Sequence, residues 1–243
     1  MTDRPGRTLR AQARGQEGVT LPELLVTMAL MGVVGLLVLG MFTSFTRALT
    51  RERSAGDSVN IASIGMDELT RVVRSGTEIR RSGNDENLPV FTFAGRERLQ
   101  MHAFLDTSST TPRPVKIELA VTPGRDLEET RWDAVPASSP YWTFESTGST
   151  PRRIASKILP HASGERYLFT YRTKTVCDAG HPDCNVLQVP AEGITDADVL
   201  RSIATVEITL HVQADGTDRA QPVMMTNQVG LPNLGIDRVG ASQ

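Results

Sequence analysis

The side chains capable of chemistry are few and scattered. Cys177 and Cys184 are the only cysteines, separated by Asp178-Ala179-Gly180-His181-Pro182-Asp183. Both thiols, His181 and one aspartate could converge on a metal ion. Zinc, however, takes four ligands, usually with tighter cysteine spacing. In an exported domain a close, even pair of cysteines reads as a disulfide, and oxidation removes the thiolates a metal would need. Closing so short a loop restricts the unfolded chain by roughly 2–3 kcal/mol. His181 is then an exposed loop residue. His102, His161 and His211 are scattered and sit in no nucleophile motif, and there is no Gly-rich phosphate loop, Gly-x-Ser-x-Gly or His-Glu-x-x-His. Asp215 and Asp218 could bind a cation, but a solvated hairpin turn accounts for both. The expectation is a chain that is not an enzyme, with no catalytic residue, no metal and no cofactor.

One further carboxylate matters by position. Glu23 stands at the start of an apolar run, and the next charged residue is Arg47, leaving 23 uncharged residues between them. A helix of that length, at ~1.5 Å per residue, is ~35 Å long and sufficient to cross a bilayer core. A charge at the edge of such a span is costly in lipid, so it calls for a function and a partner. Upstream, Arg4, Arg7, Arg10 and Arg14 oppose Asp3 and Glu17 over residues 1–18, a net of +2, which leaves −4 on the remainder of a chain whose formal charge is −2. Positive charge before the apolar run places the N-terminus in the cytoplasm and exports the bulk. A cleaved secretory signal is the rival reading. The run is longer than a usual signal core and no small-x-small cleavage site closes it.

The stretch Gly18-Val19-Thr20-Leu21-Pro22-Glu23-Leu24-Leu25 resembles the processing site of type IV pilins and type II secretion pseudopilins. In that family a short basic leader ends in Gly, the mature chain starts with a hydrophobic residue, and Glu is its fifth residue. The resemblance implies cleavage after Gly18 by a prepilin peptidase/methyltransferase and methylation of the new N-terminus at Val19. Thr20, Leu21 and Glu23 then belong to the assembly segment. Val19 replaces the more usual Phe, Met or Leu. Pro22 replaces the common Ile, which a first helical turn tolerates because that N–H has no intrahelical partner. The resemblance also implies that Glu23 pairs with the N-terminal amine of a neighbouring subunit, two desolvated charges compensating one another.

The elements that would position these residues follow from periodicity. Residues 19–46 form the membrane helix, in which Gly32, Gly35 and Gly40 suit close helix approach. From Ala55 onward, Ala55, Val59, Ala62, Met66, Leu69, Val73 and Gly76 recur at alternating steps of four and three, one apolar stripe on a continuing helix. Asp67 and Arg71 are spaced for an i,i+4 pair, and Gly56 and Gly65 are candidate bends. A loop at residues 82–89 ends the pattern.

Strand patterns follow at 90–94, 98–104 and 115–121, with Gly95-Arg96-Glu97 as a hairpin connection. Residues 122–165 are Pro-, Ser-, Thr- and Gly-rich, with strand-like pieces at 129–133 and 141–145. Trp132, Tyr141, Trp142 and Phe144 there are expected to pin a long loop onto the sheet. Further strands are expected at 166–172, 185–189, 203–212 and 221–229, with a helical turn at 196–200, a turn at Asp215-Gly216, and a loose tail from 232.

A long helix followed by antiparallel strands is an α+β arrangement. The fold expected is type IV pilin-like: a long N-terminal helix, its first half membrane-spanning, packed on an antiparallel β-sheet head. The division expected is leader 1–18, transmembrane and assembly helix 19–46, amphipathic continuation 47–80 and extracytoplasmic β-rich head 81–243. Met66-Asp67-Glu68-Leu69-Thr70-Arg71-Val72-Val73-Arg74 is similar to the late-helix stretch of the larger minor pilins and pseudopilins of the PilW and PulJ kind. That resemblance implies a structural subunit of a type IV pilus or type II secretion-like filament. Its partners would be the prepilin peptidase/methyltransferase, other pilins or pseudopilins, and the inner or cytoplasmic membrane. The acidic balance of the mature chain argues against direct nucleic-acid binding. The alternatives are a single-pass signal-anchored protein that never polymerises, and a tip adhesin or a module binding DNA or a secreted substrate.

Overall fold

The computed structural model describes residues 18–80, 87–105, 112–138, 141–161, 166–177, 180–181, 183–214 and 221–234. The leader before Gly18, the Ser82–Glu86 part of the expected loop, the Asp215-Gly216 turn with Asp218, and the tail beyond Leu234 lie outside these residues. The chain divides into two compact units, Met1–Leu49 and Thr50–Gln243.

Helix α1, Leu21–Arg74, is a single 54-residue element. Its portion in the second unit is one wall of the head. Buried there are Ser58, Ala62, Gly65, Met66, Leu69, Val72 and Val73, spaced at threes and fours as a helix packed along one face requires. This corrects the expected stripe at its start. Val59 is 45% exposed and Ser58 fully buried. The hydroxyl of Ser58 accepts the Ala214 N–H at 2.9 Å and donates to Ser54 O at 2.9 Å, so a polar residue sits in the seam without an unsatisfied atom. Gly65 belongs to the seam because a Cβ there would lie 3.0 Å from Ala155 Cβ and 3.1 Å from Leu210 Cδ2. The helix ends as Ser75 and Gly76 donate N–H groups to Val72 O and Val73 O. At Gly76 a side chain would collide with Met101 and Val90, 2.7 and 2.8 Å from its Cβ position.

The strands form two antiparallel meanders. Strands β1 (Phe91–Ala94), β2 (Arg98–Ala103), β3 (Val115–Val121), β4 (Leu127–Asp133) and β5 (Arg152–Ala155) pair in sequence order. Strands β6 (Phe169–Thr173), β7 (Ile203–Val212) and β8 (Val223–Gly230) form a second, three-stranded sheet, preceded by the short helix α2 (Ala197–Ser202). The strands of the β-rich head thus fall into two sheets, joined where Ile158 bridges Val212. Strand β5 replaces the piece expected at 141–145, which contributes only a bridge from Phe144 to Ala134, and 185–189 contributes only a bridge from Val186 to Arg172. Phe144 stacks on His102 at 5.1 Å and holds that loop down, whereas Tyr141 is 42% exposed. Between the sheets Phe91 meets Tyr171 edge-on at 6.1 Å, and the Tyr171 hydroxyl donates to Gly95 O at 2.8 Å.

Charge pairing also departs from the sequence pattern. Arg71 grips both oxygens of Glu68, at 2.8 and 2.7 Å, rather than Asp67. Glu68 faces the sheet, where Arg152 of β5 bridges it to the buried Glu129 of β4, itself paired with Arg131. The hydrogen bonds and charges of Arg71 and Arg152 hold the Glu68 carboxyl down at about 2. On β2, burial lowers the His102 pKa to about 4, aided by Lys116, and its Nδ1 lies 3.0 Å from Pro89 O. That carbonyl can only accept, so Nδ1 carries the proton of the neutral ring.

Two expectations follow for the head. Gly65→Val overpacks the seam and lowers stability by about 1–3 kcal/mol, whereas Gly56→Ala, with no atom within 4 Å of its Cβ position, raises it by about 0.5–1 kcal/mol. Thermal or urea melts of the two variants test the pair. The second concerns acid. An unfolded chain protonates His102 below about 6.5 while the folded head keeps it neutral to about 4, so stability falls as pH drops through that window, by about 3 kcal/mol at most. Glu68 contributes stability above its ordinary 4.5, lost as pH falls towards about 2. In melts recorded against pH, His102→Asn flattens the upper segment and Glu68→Gln the lower.

Candidate processing and assembly segment

Gly18, Val19 and Thr20 lie outside α1, and all three are exposed. The first intrahelical bond runs from the Leu24 N–H to Thr20 O at 3.1 Å. The Gly18–Val19 peptide is therefore non-helical backbone with nothing within 4 Å of the Gly18 Cβ position, the kind of substrate a protease active site can enter. Pro22 lies in the first turn, where its missing N–H costs nothing. Glu23 occupies the same turn, next to the positive end of the helix dipole. Among the described residues no ion pair includes it.

From Gly18 to Arg53 every residue is exposed. Leu24, Leu25, Val26, Met28, Leu30, Met31, Val33, Val34 and Leu36 through Leu39 are each more than half accessible. Among the described residues nothing covers this surface. The stretch is long and apolar enough to cross a membrane, as an N-terminal anchor would be. Its polar side chains are compatible with lipid: the hydroxyls of Thr27, Thr43 and Thr46 donate to Leu24 O, Gly40 O and Phe42 O at 2.9, 3.0 and 2.9 Å. A hydroxyl turned back onto the helix leaves no donor to be desolvated. Gly32, Gly35 and Gly40 have open space where a Cβ would be, so no contact among the described residues requires them.

The other sequence-derived sites fall apart from this segment and from one another. Cys177 and Cys184 are joined in a disulfide with Cα atoms 5.6 Å apart. Their sulfurs are bonded to each other, and the rival metal site loses its ligands. His181 is exposed. Asp183 of the same loop pairs with Arg166 and Arg172 at 3.2 and 2.9 Å, and these arginines hold its carboxyl below the ordinary range. Arg166 and Arg172 also reach the buried Glu207 of β7, at 2.9 and 3.0 Å, so the loop is tied to the second sheet by charge as well as by sulfur. Among the described residues no group of three or more His, Cys, Asp or Glu side chains could hold a metal. His161 packs against Tyr167 at 4.2 Å, remote in sequence from the buried His102. The Glu68–Arg152–Glu129 and Arg172–Glu207 clusters had no signal in the sequence, because their members lie 84, 23 and 35 positions apart.

Residues 13–39 match the family described as the prokaryotic N-terminal methylation motif. No curated protein matches the chain. The matched span brackets the exposed Gly18–Val19 peptide, Glu23 and the first turns of α1, and a motif of this kind implies prepilin peptidase processing and pilin-like assembly in general. The chain thus carries the prokaryotic N-terminal methylation motif at the head of a long apolar helix followed by antiparallel sheets, an arrangement consistent with a type IV pilin-like protein.

Proposed function

We propose that this chain is a minor pilin or pseudopilin, a structural subunit of a type IV pilus or type II secretion-like filament and not an enzyme. It is cut after Gly18 and methylated on Val19. Residues 19–46 anchor it in the inner or cytoplasmic membrane until assembly, 47–80 continue the helix, and 81–243 form an extracytoplasmic head, of the larger minor-pilin kind. The observation that carries the reading is the methylation motif at residues 13–39, with its Gly18–Val19 junction immediately before a helix whose apolar surface is uncovered over its whole first half.

The chemistry of assembly follows from desolvation. Cleavage creates an amine at Val19, four residues from the Glu23 carboxylate. Both charges enter an apolar environment when helices pack side by side. There each is tolerable only with an opposite partner, and the two sit at the same depth on adjacent helices. Pairing between copies therefore fixes axial register.

N-terminal sequencing of membrane-extracted protein, with and without the host's prepilin peptidase, tests the reading. The expected mature chain begins at Val19 only when the peptidase is present. A chain that still begins at Met1 in both cases points to a signal-anchored protein that never polymerises. Gly18→Ala is expected to block trimming, and normal trimming by mass spectrometry contradicts that. Glu23→Ala leaves membrane insertion intact. It strands an unpaired amine, at a cost of about 3–5 kcal/mol, and so lowers incorporation into filaments by about a hundredfold or more. Wild-type incorporation removes the role given to Glu23.

A further inference from the structure

We propose that Pro22 is the positioning residue for maturation: its ring keeps the Gly18 carbonyl, the group to be attacked, out of α1. The inference rests on the processing reading above and adds to it the means by which the bond is presented. Helix α1 begins at Leu21, and Thr20 O, accepting from the Leu24 N–H at 3.1 Å, opens its hydrogen-bond ladder. Gly18, Val19 and Thr20 are non-helical and exposed. No atom lies within 4 Å of the Gly18 Cβ position, so packing does not hold this backbone open. The cause must be local.

Without a local stop the helix would run on. Once 54 residues are helical, each further residue adds a bond with no new nucleus to form. At the edge of lipid, backbone groups left unbonded are costly, which favours the same extension. Val19 O would accept from the N–H of Glu23, and Gly18 O from the N–H of residue 22. Residue 22 is proline. It has no N–H, and in a helix its ring collides with the carbonyl four residues back. That carbonyl is Gly18 O.

Hydrolysis needs this carbonyl free. The hydroxyl of water adds to the Gly18 carbonyl carbon, the bond from that carbon to the Val19 nitrogen breaks, and the nitrogen takes the remaining proton and leaves as an amine. Negative charge develops on Gly18 O on the way, and donors of the peptidase must meet it. A helical Gly18 O would already be bonded along the axis. Position 22 is also the one place where a proline does this at no later cost. One position earlier, it would leave the N–H of residue 22 free to bond Gly18 O. One position later, it would remove the bond from residue 23 to Val19 O, which the mature helix can make. In a chain beginning at Val19, residues 19–22 have N–H groups with no intrahelical acceptor, so Pro22 takes nothing from the mature helix.

The test uses full-length chain in detergent micelles, cut by purified prepilin peptidase. Pro22→Ala is expected to lower kcat/KM about tenfold and Pro22→Gly by less, the order of helix propensity. A ring that acted by touching the peptidase would leave the glycine variant no better than the alanine one. Carbon chemical shifts of residues 18–20, recorded without peptidase, are expected to be non-helical in the wild type and helical in Pro22→Ala. Three results overturn the proposal and leave the processing reading standing: wild type and Pro22→Ala cut at equal rates, Pro22→Gly cut no faster than Pro22→Ala, or non-helical shifts at 18–20 in Pro22→Ala. A wild-type chain that the peptidase leaves uncut removes both.

Discussion

Apolar surface left without cover by the described residues is the constraint on which the rest of this structure depends. The first half of α1 is exposed on every side, residue after residue, and carries no charge between Glu23 and Arg47. At roughly 25 cal/mol per Å2, such a surface cannot be left in water. Lipid or other helices would cover it, and both environments have the same consequence for its polar groups. Backbone N–H and C=O groups are paired within the helix, threonine hydroxyls fold back onto the preceding turn, and the single carboxylate stands at the end. In the proposed maturation, cutting after Gly18 would add the complementary charge, an amine close to that carboxylate.

The same helix meets a different solution beyond Leu49. There its apolar face is covered by the chain's own strands. The seam from Ser58 to Val73 lies in a core with Phe91, Leu99, Met101, Ile117, Tyr171 and Leu210, all fully buried. Close approach between helix and sheet is bought with small residues: Gly65 admits Ala155 and Leu210, and Gly76 admits Met101 and Val90. Where charge enters this interface it is compensated. Glu68 on the helix shares Arg152 with Glu129 on the sheet, so neither carboxylate is buried without a cation. The disulfide loop is held on the second sheet in a similar way, through Arg166 and Arg172 against Asp183 and Glu207.

Uncovered backbone is the second kind of incomplete surface. Among the described residues most strand edges of the head are closed by an adjoining segment or guarded by arginine, and β8 is neither. The exposed helix needs a hydrophobic neighbour, whereas the β8 edge needs hydrogen-bond partners.

Much of this was legible in the sequence. The Gly18–Glu23 motif, the charge-free run and the alternating pattern of β7 are local, and local spacing decides what they become. The disulfide was legible too, since two cysteines seven positions apart can reach each other in any compact loop. What the sequence left undetermined was which face of the late helix is buried. Counting apolar residues chose Val59, whereas contact chose Ser58, whose hydroxyl answers an N–H 156 positions away. Likewise Arg71 chose Glu68 over Asp67 because Arg152 waits across the interface. The division of the strands into two sheets, the burial of His102 and the open edge of β8 came from tertiary structure alone. Each depends on which distant segment arrives beside it, and no spacing within a short window encodes that.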